Sequence, residues 1–264
     1  MSPQNTPTKE RLRAEWAAAA PNWIERIRSD RGDPSRRGFL DDWMVDAVDA
    51  VDAGGAGGDV RDLDVIDLGC GEGSFGKMLA ERGARVTGID ACPAMIDAAN
   101  ARRGEREQYH VNDMESLAGV GAEQFDLATS YITLVDVADH RRAIAEAFRV
   151  LRAGGRFVVC NLAPMVTATN TWERDAAGTK RHFRLDNYLT EGPREIPMVG
   201  GRFANFHRTL SSYITAFLDA GFVLEGLREP YPNAEQLARE PSNDDILRVP
   251  LFIIYLLRKP RIRS

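Results

Sequence analysis

Several things are scarce in this sequence, and each scarcity excludes a class of protein. No stretch of the 264 residues approaches the ~18 consecutive apolar residues of a membrane-crossing helix, so no membrane partner is expected. The opening MSPQNTPTKERLR is polar and carries no apolar signal core. Cysteine is rare. Cys70, Cys92 and Cys160 form no CxxC pair and show no metal-ligand spacing. An odd count with no secretion signal points to a reducing, cytoplasmic setting and to no bound metal. Positive charge is also short: 34 Lys and Arg against 39 Asp and Glu leave a formal net charge of −5. A global field for nucleic-acid phosphates is therefore absent. Repeats are missing too. What remains is a chain with 44% hydrophobic residues, enough for one α/β domain with a sizeable core.

The first sixty residues are helix-prone. Leu12, Trp16 and Ala19 share one helical face, Pro21 is expected to interrupt it, and Trp23, Ile24 and Ile27 begin a second stretch. A further helix is predicted from Pro34, with Phe39, Leu40, Trp43, Met44, Ala47 and Val48 on one side. DAGGAGGDVRD reads as a flexible joint. Residues 1–58 are thus expected to form a helical cap and 59–264 the main domain. Trp43 is expected to pack on that domain, and Trp16 and Trp23 to face a ligand. From Val65 strands and helices alternate, which implies a parallel, doubly wound sheet. RAGG is predicted to end the helix over 141–151. The rhythm stops at Ala163. Residues 163–209 are polar, aromatic and rich in Gly and Pro, too long for an ordinary connection, and are read as a substrate lid.

VIDLGCGEGSFGKMLAERGARVTGID, residues 65–90, reads as strand, glycine loop, helix and strand. Such a loop lies beyond the carboxyl ends of the strands, where ligands bind in open parallel sheets. From Gly71 it is a formal GxGxxG, and Asp90 follows where a dinucleotide fold would place its ribose-binding acid. That pattern alone leaves NAD open. Asp67 argues for S-adenosylmethionine (SAM), because a carboxylate beside the loop suits the methionine ammonium and repels a diphosphate. Asp90 can accept both ribose hydroxyls. Asp113, after the third strand, can take the adenine amino group with Met114 against the ring. Three acids after three successive strands form an ordered set.

With VNDMESL, FDLATSYITLV and RVLRAGGRFVV, these motifs make the chain resemble the class I SAM-dependent methyltransferases, of the group that acts on small molecules. The resemblance implies a Rossmann-like seven-stranded sheet in order 3-2-1-4-5-7-6 with the last strand antiparallel. It places Gly69, Cys70 and Gly71 at the methionine end, Asp90 at the ribose and Asp113 with Met114 at the adenine. Ser130 would lie near the methionine and the substrate. Ala91 departs from the family, where many members have Ser.

The acceptor is expected to be a small organic molecule, plausible in specialised metabolism. The fourth strand lacks the Asn-Pro-Pro-Tyr type of sequence that resembling enzymes use on base amines, which argues against nucleic acid. Asp136 and Asp139 are read as caps of the next helix, not metal ligands. Tyr131, Trp172, Tyr188 and Phe206 join Trp16 and Trp23 as candidate substrate contacts. His207 is the first candidate general base and His140 the second. The basic run of Arg174, Lys180, Arg181 and Arg184 is read as a solvated face. A dinucleotide oxidoreductase and a non-catalytic SAM-binding regulator stand as the alternatives.

Overall fold

The computed structural model describes residues 7–29, 32–50, 59–169, 171–198 and 201–261. Most of the glycine-rich joint lies outside the described residues. Strands β1 (Asp64–Leu68), β2 (Arg85–Asp90), β3 (Glu107–Val111), β4 (Phe125–Tyr131) and β5 (Leu151–Leu162) are separated by helices, except that an irregular stretch joins β3 to β4. Two hairpins follow: β6 (Thr171–Arg174) with β7 (Lys180–Arg184), and β8 (Gly192–Met198) with β9 (Gly201–His207). Strands β10 (Val223–Arg228) and β11 (Phe252–Arg258) end the chain. The large sheet runs β3-β2-β1-β4-β5-β11-β10, and β11 is antiparallel to both neighbours. Counting only its seven strands, this is the order 3-2-1-4-5-7-6 expected from the resemblance.

Period-two alternation splits the core between the two faces of the sheet. Ile66 and Leu68 of β1 join Ile144, Ala147, Tyr213 and Phe217 from α5 (His140–Val150) and α7 (Leu210–Asp219). Val65 joins Met44, Val48, Phe75 and Leu79 from α2 (Asp41–Asp49) and α3 (Ser74–Glu81). Helix α2 thus shares the core of the main body. Trp43 lies where expected, against Tyr231, to whose carbonyl its indole N–H donates at 3.0 Å.

Three local expectations need correction. Helix α1 runs unbroken from Lys9 to Arg28 through Pro21. Pro21 is exposed, while Ala20, Trp23 and Ile24 pack with Cys92 and Met95 near α4 (Pro93–Asn100). That burial outweighs a proline cost of about 3 kcal/mol. RAGG does not close the preceding helix. It belongs to β5, whose register against β4 slips between Phe125 and Leu127. The stretch after Ala163 is not irregular: it is α6 (Pro164–Thr169) and the two hairpins.

Candidate active site

The carboxyl edges of β1, β2 and β4 open into a cleft of about 570 Å³. Its floor is the loop after β1. Gly69 has φ +73°, and a Cβ there would sit 2.1 Å from the Thr133 side chain, so only glycine fits between the β1 loop and the turn after β4. Thr133 locks the two together through a 3.1 Å bond from its hydroxyl to the Gly69 carbonyl. Gly71 has φ +55° and open space where a Cβ would point, so a ligand can reach its backbone.

Three acids surround the floor, as their spacing predicted. Asp67 is 1% exposed and accepts from the Thr129 hydroxyl at 2.7 Å. Burial pushes its carboxyl up to about 6, although Thr129 and the Arg36 guanidinium oppose this. Asp90 ties down the loop: its two oxygens accept from Gly71 N–H at 3.0 Å and Cys92 N–H at 2.8 Å. Burial raises this carboxyl too, against those two bonds. Each oxygen keeps a second lone pair for a ligand hydroxyl. Asp113 accepts from Glu115 N–H at 2.9 Å, and Lys9 and Arg13 of α1 reach its other oxygen at 2.9 and 3.1 Å. Burial acts to raise Asp113, but these partners outweigh it and hold the group below its usual value. Gly69, Cys70, Gly71, Ala91 and Met114 all line the same cleft. Cys70 is buried and its thiol is pushed well up, first by burial and then by Asp67 and Asp90, so it offers backbone and bulk rather than a thiolate.

The other candidates divide. Trp16, Trp23 and Tyr131 line the cleft. Trp16 stands edge-on to Trp23 at 5.8 Å and tilted to Phe203 of β9 at 5.1 Å. Tyr131 donates to Asp41 at 2.8 Å, with Arg36 stacked 4.5 Å from its ring. Ser130 does not line the cleft. It is buried in β4, with no partner for its hydroxyl among the described residues. Trp172 belongs instead to the first hairpin, edge-on to Phe183 and under Arg248. Tyr188 lies at the base of the second hairpin, its hydroxyl accepting from Leu210 N–H at 3.1 Å. Phe206 is buried with Leu12 and Ala204. These three aromatics fasten the insertion to the body rather than line the cleft. The basic run stays outside as well: Lys180 pairs with Asp245 and Arg181 with Asp175.

Neither histidine reaches the cleft. His207 is fully buried, with Nε2 2.8 Å from the Tyr188 carbonyl and Nδ1 2.8 Å from the Thr167 hydroxyl. A carbonyl only accepts, so Nε2 carries the proton and Nδ1 is occupied. His140 packs edge-on to Tyr213, and burial, aided by Arg208 and Arg141, drives its pKa down to about 3. A general-base role is not supported for either ring. The sequence reading also missed groups that do face the cleft, notably Arg36, Glu72, Asp136 and Asn205. Of the two acids after β4, only Asp139 caps α5, accepting from Arg142 N–H at 3.1 Å. Asp136 is left in the cleft.

A family model described as a methyltransferase domain matches residues 66–159. A solved S-adenosylmethionine dependent methyltransferase from Mesorhizobium loti is 31% identical and superposes with a TM-score of 0.69, over 76% of this chain and 92% of that one. The chain belongs to the class I SAM-dependent methyltransferases. SAM is therefore the cofactor, and the dinucleotide reading falls away. The residues of the cleft fit it: an open glycine backbone and carboxylates at the carboxyl ends of three strands. The methyltransferase is also similar to two curated enzymes. A malonyl-[acyl-carrier protein] O-methyltransferase of Salmonella typhimurium is 37% identical over 165 residues, 62% of this chain and 63% of that enzyme. A ubiquinone biosynthesis O-methyltransferase of a Methylobacterium species is 35% identical over 103 residues, 38% of this chain and 41% of that enzyme. The matches span less than two thirds of either curated enzyme.

Proposed function

We propose that the chain moves the methyl group of SAM to an oxygen or nitrogen of a small organic acceptor bound in the same cleft. Bound SAM supplies an electrophilic methyl on sulfur. The chain's residues supply position and dryness, and positioning of this kind can lower a barrier by ~7–11 kcal/mol. Asp67 faces the ammonium and Arg36 offers a cation for the methionine carboxylate. Asp90 takes the ribose hydroxyls and Asp113, with Met114, the adenine. Trp16, Trp23 and Tyr131 give the acceptor an aromatic wall. Helix α1, residues 9–28, and the insertion over 163–209 act as the cover. The observation that carries this reading is the continuity of the cleft: the acids at the carboxyl ends of β1, β2 and β3 and the three aromatic side chains border one volume. The two O-methyltransferase relatives support oxygen as the acceptor atom.

Calorimetry with SAM, S-adenosylhomocysteine and NADH tests the cofactor half. The first two bind and NADH does not. Asp90→Ala weakens both by at least about tenfold, the scale of one lost charged hydrogen bond. Methyl transfer from labelled SAM to phenols, N-heterocycles and carboxylic acids tests the acceptor half. SAM binding with no transfer to any of them would favour the regulatory alternative.

A further inference from the structure

Asp136 lines the cleft but is not among the acids assigned above to the cofactor. It ends the 3₁₀ turn Leu134–Asp136, directly after β4 and next to the β1 loop. The buried Arg208 clamps that turn. Its guanidinium donates to the carbonyls of Leu134, Val137 and Ala138. The turn closes on itself through Asp136 N–H to the Thr133 carbonyl at 2.9 Å. Just before it, Ile132 holds φ +58°, an outlier for a β-branched residue, and its N–H donates to the Cys160 carbonyl at 2.8 Å. Backbone strain of this kind clusters where a site must be preorganised.

We propose that Asp136 is the general base of the methyl transfer and that the acceptor is a hydroxyl whose proton is still attached at neutral pH. The inference rests on the small-acceptor reading above. Asn205, from β9, donates to Asp136 Oδ1 at 3.0 Å and fixes the carboxylate plane. The second oxygen takes no hydrogen bond among the described residues and is left for the acceptor. Asp90 and Asp113 have both oxygens engaged, and Asp67 is sunk between β1 and β4. The charged groups acting on Asp136 are Asp90 at the end of β2 and Arg208 after β9. Burial pushes its carboxyl up to about 7, with Asp90 adding to the rise while Asn205 and Arg208 oppose it. A base of that strength matches proton removal near neutrality.

In the step, the acceptor oxygen bonds to the methyl carbon as the carbon–sulfur bond of SAM breaks. The bonding pair stays on sulfur, giving neutral S-adenosylhomocysteine. The hydroxyl proton passes to Asp136 Oδ2, and the neutral acid later returns it to solvent. A carboxylate acceptor would arrive already ionised and would be repelled by Asp136, so the geometry selects hydroxyls over acids.

Phenols of graded acidity, from phenol to pentafluorophenol, serve as probes with labelled SAM. Asp136→Asn lowers kcat on phenol by about 10²-fold or more, the usual worth of a positioned base. Its S-adenosylhomocysteine affinity by calorimetry stays within about twofold of wild type, the range of a group making no contact with the cofactor. The loss shrinks as the phenol becomes more acidic. The acidic limb of kcat near pH 7 disappears. Asn205→Ala, which removes a bond to the ionised form, moves that limb to higher pH. This second variant keeps the test open if Asp136→Asn does not fold. A loss equal across all phenols, an unmoved limb in Asn205→Ala, or no phenol methylated by wild type that binds S-adenosylhomocysteine would each overturn the proposal. Failure of wild type to bind S-adenosylhomocysteine would strike the cofactor assignment instead.

Discussion

At the scale of single residues, the cleft trades stability for binding, and Asp67 shows it most directly. Its carboxyl is raised from 3.8 to about 6 by burial. A raised carboxyl stabilises the fold fully below its unfolded value, and that contribution is lost as pH rises through the folded one. Between about pH 4 and 6 the protein therefore loses up to about 3 kcal/mol, since each pKa unit is worth 1.36 kcal/mol. Asp67→Asn keeps the Thr129 bond and removes the charge. The unliganded variant should melt higher than wild type at pH 8 and equally at pH 4, while SAM affinity at pH 8 falls. A melting difference that ignores pH would refute the assignment. Asp67, Asp90 and Asp113 were legible in the sequence because each lies at the carboxyl end of its own strand, so a local pattern fixes its place. Asp136 was not. Two acids stand three positions apart after β4, either can cap the helix, and only folding shows that Asp139 takes the cap. Arg36 was hidden for a related reason: Asp41 is a local partner, but Tyr131 and Asp67, which bring it to the cleft, lie far along the chain.

Among the elements, strands and helices with a strong period were readable and the insertion was not. β6 and β7 have four and five residues, and β8 contains Pro193 and Pro197, so alternation is too short or too broken to register. The histidines and aromatics there looked functional because their residue types are, yet most of them hold the hairpins to the body. The exception is the link between α1 and the second hairpin. Glu15 accepts from Ala204 N–H at 3.0 Å, and Trp16 meets Phe203. Near its start α1 also reaches the cleft beyond β3, through Lys9 and Arg13 on Asp113. Because Glu15 and Trp16 tie α1 to β9, these two elements are expected to move as one unit when the cofactor binds. Amide exchange followed by mass spectrometry should slow in both segments together when S-adenosylhomocysteine binds. Trp16→Ala should uncouple them, speeding exchange in β9 more than in β11. Unchanged exchange in β9 would show that the hairpin is held without α1.

For the molecule as a whole, the decisive feature is that one sheet carries two cores. β1 gives Ile66 and Leu68 to one face and Val65 to the other, and β4 likewise gives Ala128 and Leu127. The order of strands was expected only through the family resemblance. Alternation by itself announces a parallel sheet but cannot say that β11 inserts between β5 and β10. Because both cores hang on β1 and β4, and the cleft lies at the ends of those strands, a ligand there should stabilise both faces at once. A ligand at a hundred times its dissociation constant adds about 2.7 kcal/mol to the folded state. For a chain of this size that corresponds to a rise in Tm of about 5–10 °C. Saturating S-adenosylhomocysteine should shift the far-ultraviolet transition of the sheet and the near-ultraviolet transition of the aromatic side chains by the same amount, and NADH should shift neither. If the aromatic signal moved alone, the ligand would be held by the α1 cover rather than by the strand ends, and the placement of the cofactor on Asp67 and Asp90 would be wrong.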